Sequence, residues 1–334
     1  MTFSTPFTRK NVMALVAMLL IVAMTAVGCG GKTTPVEQSQ GTEAPKAEAP
    51  KDTSYTVKHA MGETKIPAAP KRVVILTNEG TEALLALGIT PVGAVKSWVG
   101  DPWYPHIKEK MNGVVELGTE SQPNIEAIAG LNPDLIIGNK LRQEKVYEQL
   151  SAIAPTVFSE TLRGEWKSNF KLYAEAINKK EDGDKIVADF DKRIEEFKAA
   201  AGDKLKQKVS VVRFMAGQSR IYYKQTFSGV IFEQIGIARP DSQNKDEFAA
   251  TNVSKERIPE MDGDILFYFT YETGDGKANQ VEQDWINDPL WNNLNVVKAG
   301  NVHKVSDTIW NTAGGVLAAN LLLDDLQKFY GISK

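Results

Sequence analysis

The chain has 334 residues, 39 Lys and Arg against 42 Asp and Glu, three histidines and one cysteine, and 42% of it is hydrophobic. A net charge of −3 without a long basic stripe excludes nucleic acid as a partner. A lone cysteine leaves nothing to form an intramolecular disulfide.

Arg9 and Lys10 precede an unbroken apolar run, Val12 to Met24, and small residues then lead to Cys29. A charged start, a short apolar middle and a small-residue end make a secretory signal. The run is too short to span a bilayer, which takes roughly 20 residues. An ordinary signal would leave Cys29 incidental, but Ala26-Val27-Gly28-Cys29 resembles the lipobox of bacterial lipoproteins. That resemblance implies a signal peptide over 1–28 and a diacylglycerol anchor on Cys29. Gly30 to Ser54 holds three prolines, no aromatic residue and Val36 as its only large aliphatic. It buries too little apolar surface to offset its ordering entropy, so residues 29–54 are expected to be a disordered tether.

From Tyr55 onward the pattern is α/β, with a weak internal repeat. RVVIL (Arg72 to Leu76) reads as a buried strand and TEALLALG (Thr81 to Gly88) as a helix ended by glycine. VSVVRF (Val209 to Phe214) and SGVIFEQIG (Ser228 to Gly236) repeat that order. Later in each half, PNIEAIAGLNPDLIIG places Glu126 two residues after Asn124 and eight before Asp134, and NVSKERIPEMDGDILFYF spaces Ser254, Glu256 and Asp264 identically. Between the halves, Lys167 to Ala201 is helical in pattern, broken at Asn178 to Asp184, where NKKEDGD reads as a turn. Ile186, Val187, Phe190, Ile194 and Phe197 then recur at helical spacing. The expected fold is two α/β lobes with largely parallel sheets, residues 55–179 and 204–334, joined by a single long helix over 180–203.

KRVVILTNEGTEALLALGITPVGAV, LGTESQPNIEAIAGLNPDLIIG and RIYYKQTFSGVIFEQIGIARP resemble the substrate-binding lipoproteins of iron-siderophore ABC transporters, class III periplasmic binding proteins. The likeness covers nearly all of Tyr55 to Lys334. It implies a monomeric receptor that captures a ferric siderophore in a cleft between the lobes and delivers it to a permease dimer driven by an ATPase. It further implies that Glu126 and Glu256, one on each lobe, dock onto permease arginines. Acidic residues in a first helical turn also simply complement the helix dipole.

His59, His106 and His303 are scattered without ligand spacing and read as surface or loop residues, so a protein-only metal site is not expected and iron should arrive held by its chelator. Arginine forks suit chelator carboxylates, and aromatic side chains supply a wall. Such groups fall where strands should end: Lys96, Trp98, Arg142, Arg163 and Trp166 in the first lobe, and Arg213, Arg220, Tyr222, Tyr223, Phe248, Tyr271 and Trp310 in the second. Adjacent Tyr222 and Tyr223 point to opposite faces of a strand, so at most one reaches the cleft. Arg213 could instead pair with a core carboxylate, and Trp103 with Tyr104 reads as a loop cover. The family's hydroxamate binders carry an arginine just before Pro-Asn, where GTESQPN has Glu120. Arg142 and Arg163 are expected to take over, and the multi-arginine set resembles binders of citrate-based siderophores.

A citrate-hydroxamate chelate is therefore the first expectation for the cargo, and a catecholate chelate the second. Haem or a corrinoid stays open through Tyr222, Tyr223 and Tyr271. The chain has no Gly-x-Ser-x-Gly elbow, phosphate loop or GxGxxG after the first strand, so it is not expected to be an enzyme or to carry a cofactor. A structural surface lipoprotein is a third class. Anchor and tether together fit the outer face of a Gram-positive cell membrane.

Overall fold

The computed structural model describes residues 53–332; the signal segment, Cys29 and the tether up to Asp52 lie outside the described residues. The first sheet is all parallel, in the order Val115–Glu116, Gly93–Ala94, Val73–Ile75, Leu135–Asn139, Thr156–Ser159. Its central strands are buried on both faces and apolar up to Asn139, as parallel strands covered by helices require. A hairpin, Tyr55–His59 with Gly62–Ile66, is tied to the last strand by Ala60 N donating to Phe158 O at 2.9 Å and Thr64 Oγ1 to Thr156 O at 2.8 Å. His59 is a strand residue whose Nδ1 accepts from Phe158 N, which corrects the surface or loop assignment.

The second sheet runs Ala249–Ala250, Gln218–Tyr222, Val209–Met215, Ile265–Tyr271, Val302–Lys304. Its last three strands are parallel, but its first three are antiparallel. The two-residue connection Ala216-Gly217, with Gly217 at φ 72°, is too short for a crossover and forces a hairpin. That hairpin sets Arg213 directly opposite Arg220.

The internal repeat has a physical basis. Asp134 Oδ2 accepts from Lys71 N and Arg72 N, both at 2.9 Å, and Asp264 Oδ2 accepts from Lys208 N at 2.7 Å. Each aspartate satisfies free backbone donors where the neighbouring parallel strand begins.

The long helix spans Lys180–Ala201, a length of about 33 Å. It buries Val187, Phe190, Ile194 and Phe197 against helices of both lobes: Trp166–Ala176, Phe227–Ile235 and the C-terminal Val316–Tyr330. Trp166 meets Phe190 edge-on at 5.2 Å and Phe227 at 6.2 Å, and Phe197 meets Tyr330 at 5.5 Å. The chain reverses only around Asn178, at φ 57°, so the turn expected through Asp184 is shorter than the pattern suggested. Gly183 is inside the helix because a methyl there would overlap the Ala174 side chain of the preceding helix. Its glycine serves close packing, which a sequence pattern cannot tell from a turn.

Gly183→Ala should therefore destabilise the chain by about 1–3 kcal/mol despite alanine's better helix propensity. Adding Ala174→Gly should recover most of the loss. A urea midpoint for Gly183→Ala at or above that of the parent would remove the packing explanation.

Candidate functional site

Strands that run parallel end on one edge, and here both lobes present those edges to a shared cleft of about 230 Å³. The first lobe supplies Glu79, Trp98, Glu120, Arg142, Leu162 and Arg163. The second supplies Arg213, Met215, Arg220, Tyr222, Phe248 and Tyr271, and the backbone turn Asn311 to Gly314.

Thr77 caps the helix Asn78–Ala86, accepting from Gly80 N, and so fixes Glu79 at the end of the first strand. Glu79 Oε1 accepts from Asn169 Nδ2 at 2.7 Å and Tyr173 Oη at 2.9 Å. Burial, which outweighs those two bonds, and the nearby Glu120 and Glu82 push its carboxyl up to about 8. Glu120 is also buried; Asn78 donates to its Oε1 from the backbone at 2.7 Å and the side chain at 2.9 Å, and Arg142 Nε lies 3.6 Å from Oε2. Desolvation raises its pKa, against those bonds and Arg142.

Arg163 stands on a backbone at φ 77°, a strained conformation for a residue with a side chain. Asn139 and Asn169 hold the approach to it, each donating to Thr161 O at 2.8 and 2.7 Å. Its guanidinium stacks 3.9 Å above the Phe248 ring, across the cleft. Burial, with Arg142 and Arg220 nearby, lowers its pKa. In the other wall, Arg213 forks onto Asp307, Nε to Oδ1 at 2.6 Å and Nη2 to Oδ2 at 3.2 Å, and donates to Tyr222 Oη at 3.2 Å. Tyr271 Oη donates to Trp98 O at 3.3 Å, a second contact between the lobes.

The periplasmic binding protein family profile matches residues 73–307. The chain belongs to that family. It is 51% identical over 329 residues to the probable siderophore-binding lipoprotein YfiY of Bacillus subtilis (strain 168), an alignment covering 96% of this chain and 98% of that one. It is 29% identical over 269 residues to the achromobactin-binding periplasmic protein of Dickeya dadantii (strain 3937), covering 79% and 88%. Among solved structures, Staphylococcus aureus SirA complexed with staphyloferrin B matches with a TM-score of 0.78 at 35% identity, over 84% of this chain and 99% of that one. Two α/β lobes and a long helix are this family's class III fold.

Of the residues singled out in the sequence of this periplasmic binding protein, Trp98, Arg142, Arg163, Arg213, Arg220, Tyr222, Phe248 and Tyr271 meet in the cleft. Four do not. Lys96 is exposed outside it. Trp166 is buried in the packing of the long helix. Tyr223 points behind the sheet, its hydroxyl 3.4 Å from Lys245 Nζ. Trp310 lies on a π-helical turn that rotates it into the core, where it packs at a tilt against Phe267 at 4.6 Å and donates to Asp325 at 2.9 Å. The same turn delivers Asn311 to Gly314 to the cleft instead. Trp103 and Tyr104 are core residues, not a loop cover, and Tyr104 Oη donates to Thr312 O at 3.0 Å. Glu126 and Glu256 are both exposed; Glu126 opens the helix Ile125–Gly130, whereas Glu256 sits in a 3-10 helix, Lys255–Met261. Glu79 and Asp307 were not anticipated. Glu79's signal was its position, a carboxylate directly after the first parallel strand.

Removing Asp307 leaves Arg213 buried without its carboxylate. Asp307→Ala should cost about 3–5 kcal/mol in denaturant unfolding, and Arg213→Met in the same chain should restore much of it. A single variant within 1 kcal/mol of the parent, a value on the order of a surface pair, would show that the fork is not holding that wall.

Proposed function

We propose that this chain is a lipid-anchored receptor that captures a ferric siderophore and hands it to an ABC permease. The observation that carries the reading is the charge of the cleft. Four arginines line it, and among the described residues neither Arg163 nor Arg220 pairs with a carboxylate. Two unpaired guanidinium groups, with Trp98, Phe248 and Tyr271 as apolar wall, suit an anionic chelate that also carries methylenes. A citrate-hydroxamate chelate is the first choice within that class. Names of relatives support the class: YfiY is a probable siderophore-binding lipoprotein, and SirA is complexed with staphyloferrin B. Haem is disfavoured, because Tyr222 Oη accepts from Arg213 and Tyr271 Oη is bonded to Trp98 O. Cys29 would anchor the chain on the outer face of the membrane, and Glu126 and Glu256 would meet the two permease subunits.

Five of the six tryptophans are buried away from the cleft, so Trp98 is its reporter. Titration of the tether-free protein with ferric citrate-hydroxamate, trihydroxamate and catecholate chelates, haem and a corrinoid should give saturable quenching by the first, with Trp98→Phe losing the larger share. Saturable quenching by haem or the corrinoid alone would overturn the siderophore reading.

Arg163→Ala and Arg220→Ala should weaken a carboxylate-bearing chelate about 10-fold or more, as loss of a charge-assisted bond of roughly 1.5–3 kcal/mol implies. Glu126→Ala and Glu256→Ala should leave chelate affinity unaltered while abolishing uptake by cells. Loss of binding by either glutamate variant would contradict docking.

A further inference from the structure

The arginines of the cleft all bypass one carboxyl group. Arg142 lies by Glu120, Arg213 forks onto Asp307, Arg163 stacks on Phe248, and Arg220 donates to Gln218. Glu79 is left with two neutral donors, Asn169 and Tyr173. Both donors reach Oε1, and the buried Glu79 lines the cleft. A charged carboxylate there would face any anionic cargo at close range with no cation to offset it.

We propose that Glu79 binds cargo as a neutral carboxylic acid, its Oε2–H donating to an anionic oxygen of the chelate, so that capture weakens as Glu79 ionises. This rests on the siderophore reading and adds a pH limit to it. The groups around Glu79 act in both directions. Glu120 and Glu82 oppose its charge, and Tyr173 and Asn169 favour it. Arg142 and Arg163 from the first lobe, and Arg213, Arg220 and Asp307 from the second, flank the same space, while His106 is bonded to Glu82. Burial is the largest influence, and it holds the proton on to about 8. An anionic ligand oxygen would hold it further, so binding above that pH takes up one proton, and affinity should fall by up to tenfold per pH unit.

Glu79→Gln is the test, because its amide keeps the acceptor for Asn169 and Tyr173 and presents a donor that does not titrate. Affinity for the ferric citrate-hydroxamate chelate, measured from pH 6.5 to 9.5, should fall above pH 8 in the parent and stay level in the variant. The chelate's own titration would move both alike. Parallel profiles would overturn the proposal. A second arm needs no ligand. The unfolded carboxyl releases its proton near 4.5 and the folded one near 8, so between those values the folded chain holds more protons and the parent loses stability as pH rises. Glu79→Gln should therefore gain in melting temperature over the parent from pH 5 to 8. A constant difference overturns the neutral acid even if no siderophore binds, whereas a growing difference without chelate binding would leave the acid in place and sink the siderophore reading.

Discussion

The packing of Trp166 between Phe190 of the long helix and Phe227 is the contact on which the rest of the cleft depends. Trp166 belongs to the first lobe, Phe227 to the second, and Phe190 to the helix that crosses between them. Lys167 reinforces the junction, donating to Asp191 of the long helix and to Gln234 of the helix beyond it. With both lobes fixed to one rod, their strand ends face each other at a set spacing. Further ties cross nearby: Glu82, fully buried, accepts from Ala318 N at 2.9 Å at the start of the C-terminal helix, and His106 bonds to its other oxygen. With the cleft tied at its back by packing and buried hydrogen bonds, its recognition groups stand in fixed places.

They do so through buried amides. Gln143 Oε1 accepts from Asn139 N at 2.7 Å, and its Nε2 donates to Leu76 O at 3.1 Å and Glu120 O at 2.5 Å. One side chain thereby positions the short helix Lys140–Gln143 bearing Arg142, the end of the strand Val73–Ile75 and the residue that Arg142 faces. Asn139 and Asn169 do the same for the segment before Arg163. The amide donors of Asn139 and Gln143 go to backbone carbonyls and a hydroxyl, leaving the cleft's charged groups for one another and for cargo.

The frame was legible because it rests on periodicity and local chemistry. The alternation of strands and helices, the apolar stripe of the long helix and the paired spacing of Asp134 and Asp264 all leave marks along the chain. The arginines were legible through the rule that clefts form where parallel strands end. Aromatic residues were less so: Trp166 and Trp310 have the right composition and neighbourhood for a binding wall, but a one-residue rotation in a helical turn decides between wall and core. Glu79 was hidden for a different reason. An acidic residue in a first helical turn looks the same whether it complements the dipole in water or is buried beneath a ligand, and only burial separates the two.

Both walls of the cleft also hold cost. Arg213 and Arg220 are directly opposed across an antiparallel pair, an arrangement of like charges that weakens a sheet. Asp307 neutralises one of them and nothing in the described residues neutralises the other. Opposite them, Arg163 stands on a left-handed backbone at φ 77°. A structural role would not need these features: a hydrophobic pair would serve the sheet better, and a glycine the turn. An anion entering the cleft would relieve the repulsion in one wall and give Arg163 a charge partner in the other. The cost thus lies in the groups that an anionic cargo would relieve, which would let the cleft separate an anionic chelate from a neutral one of similar size.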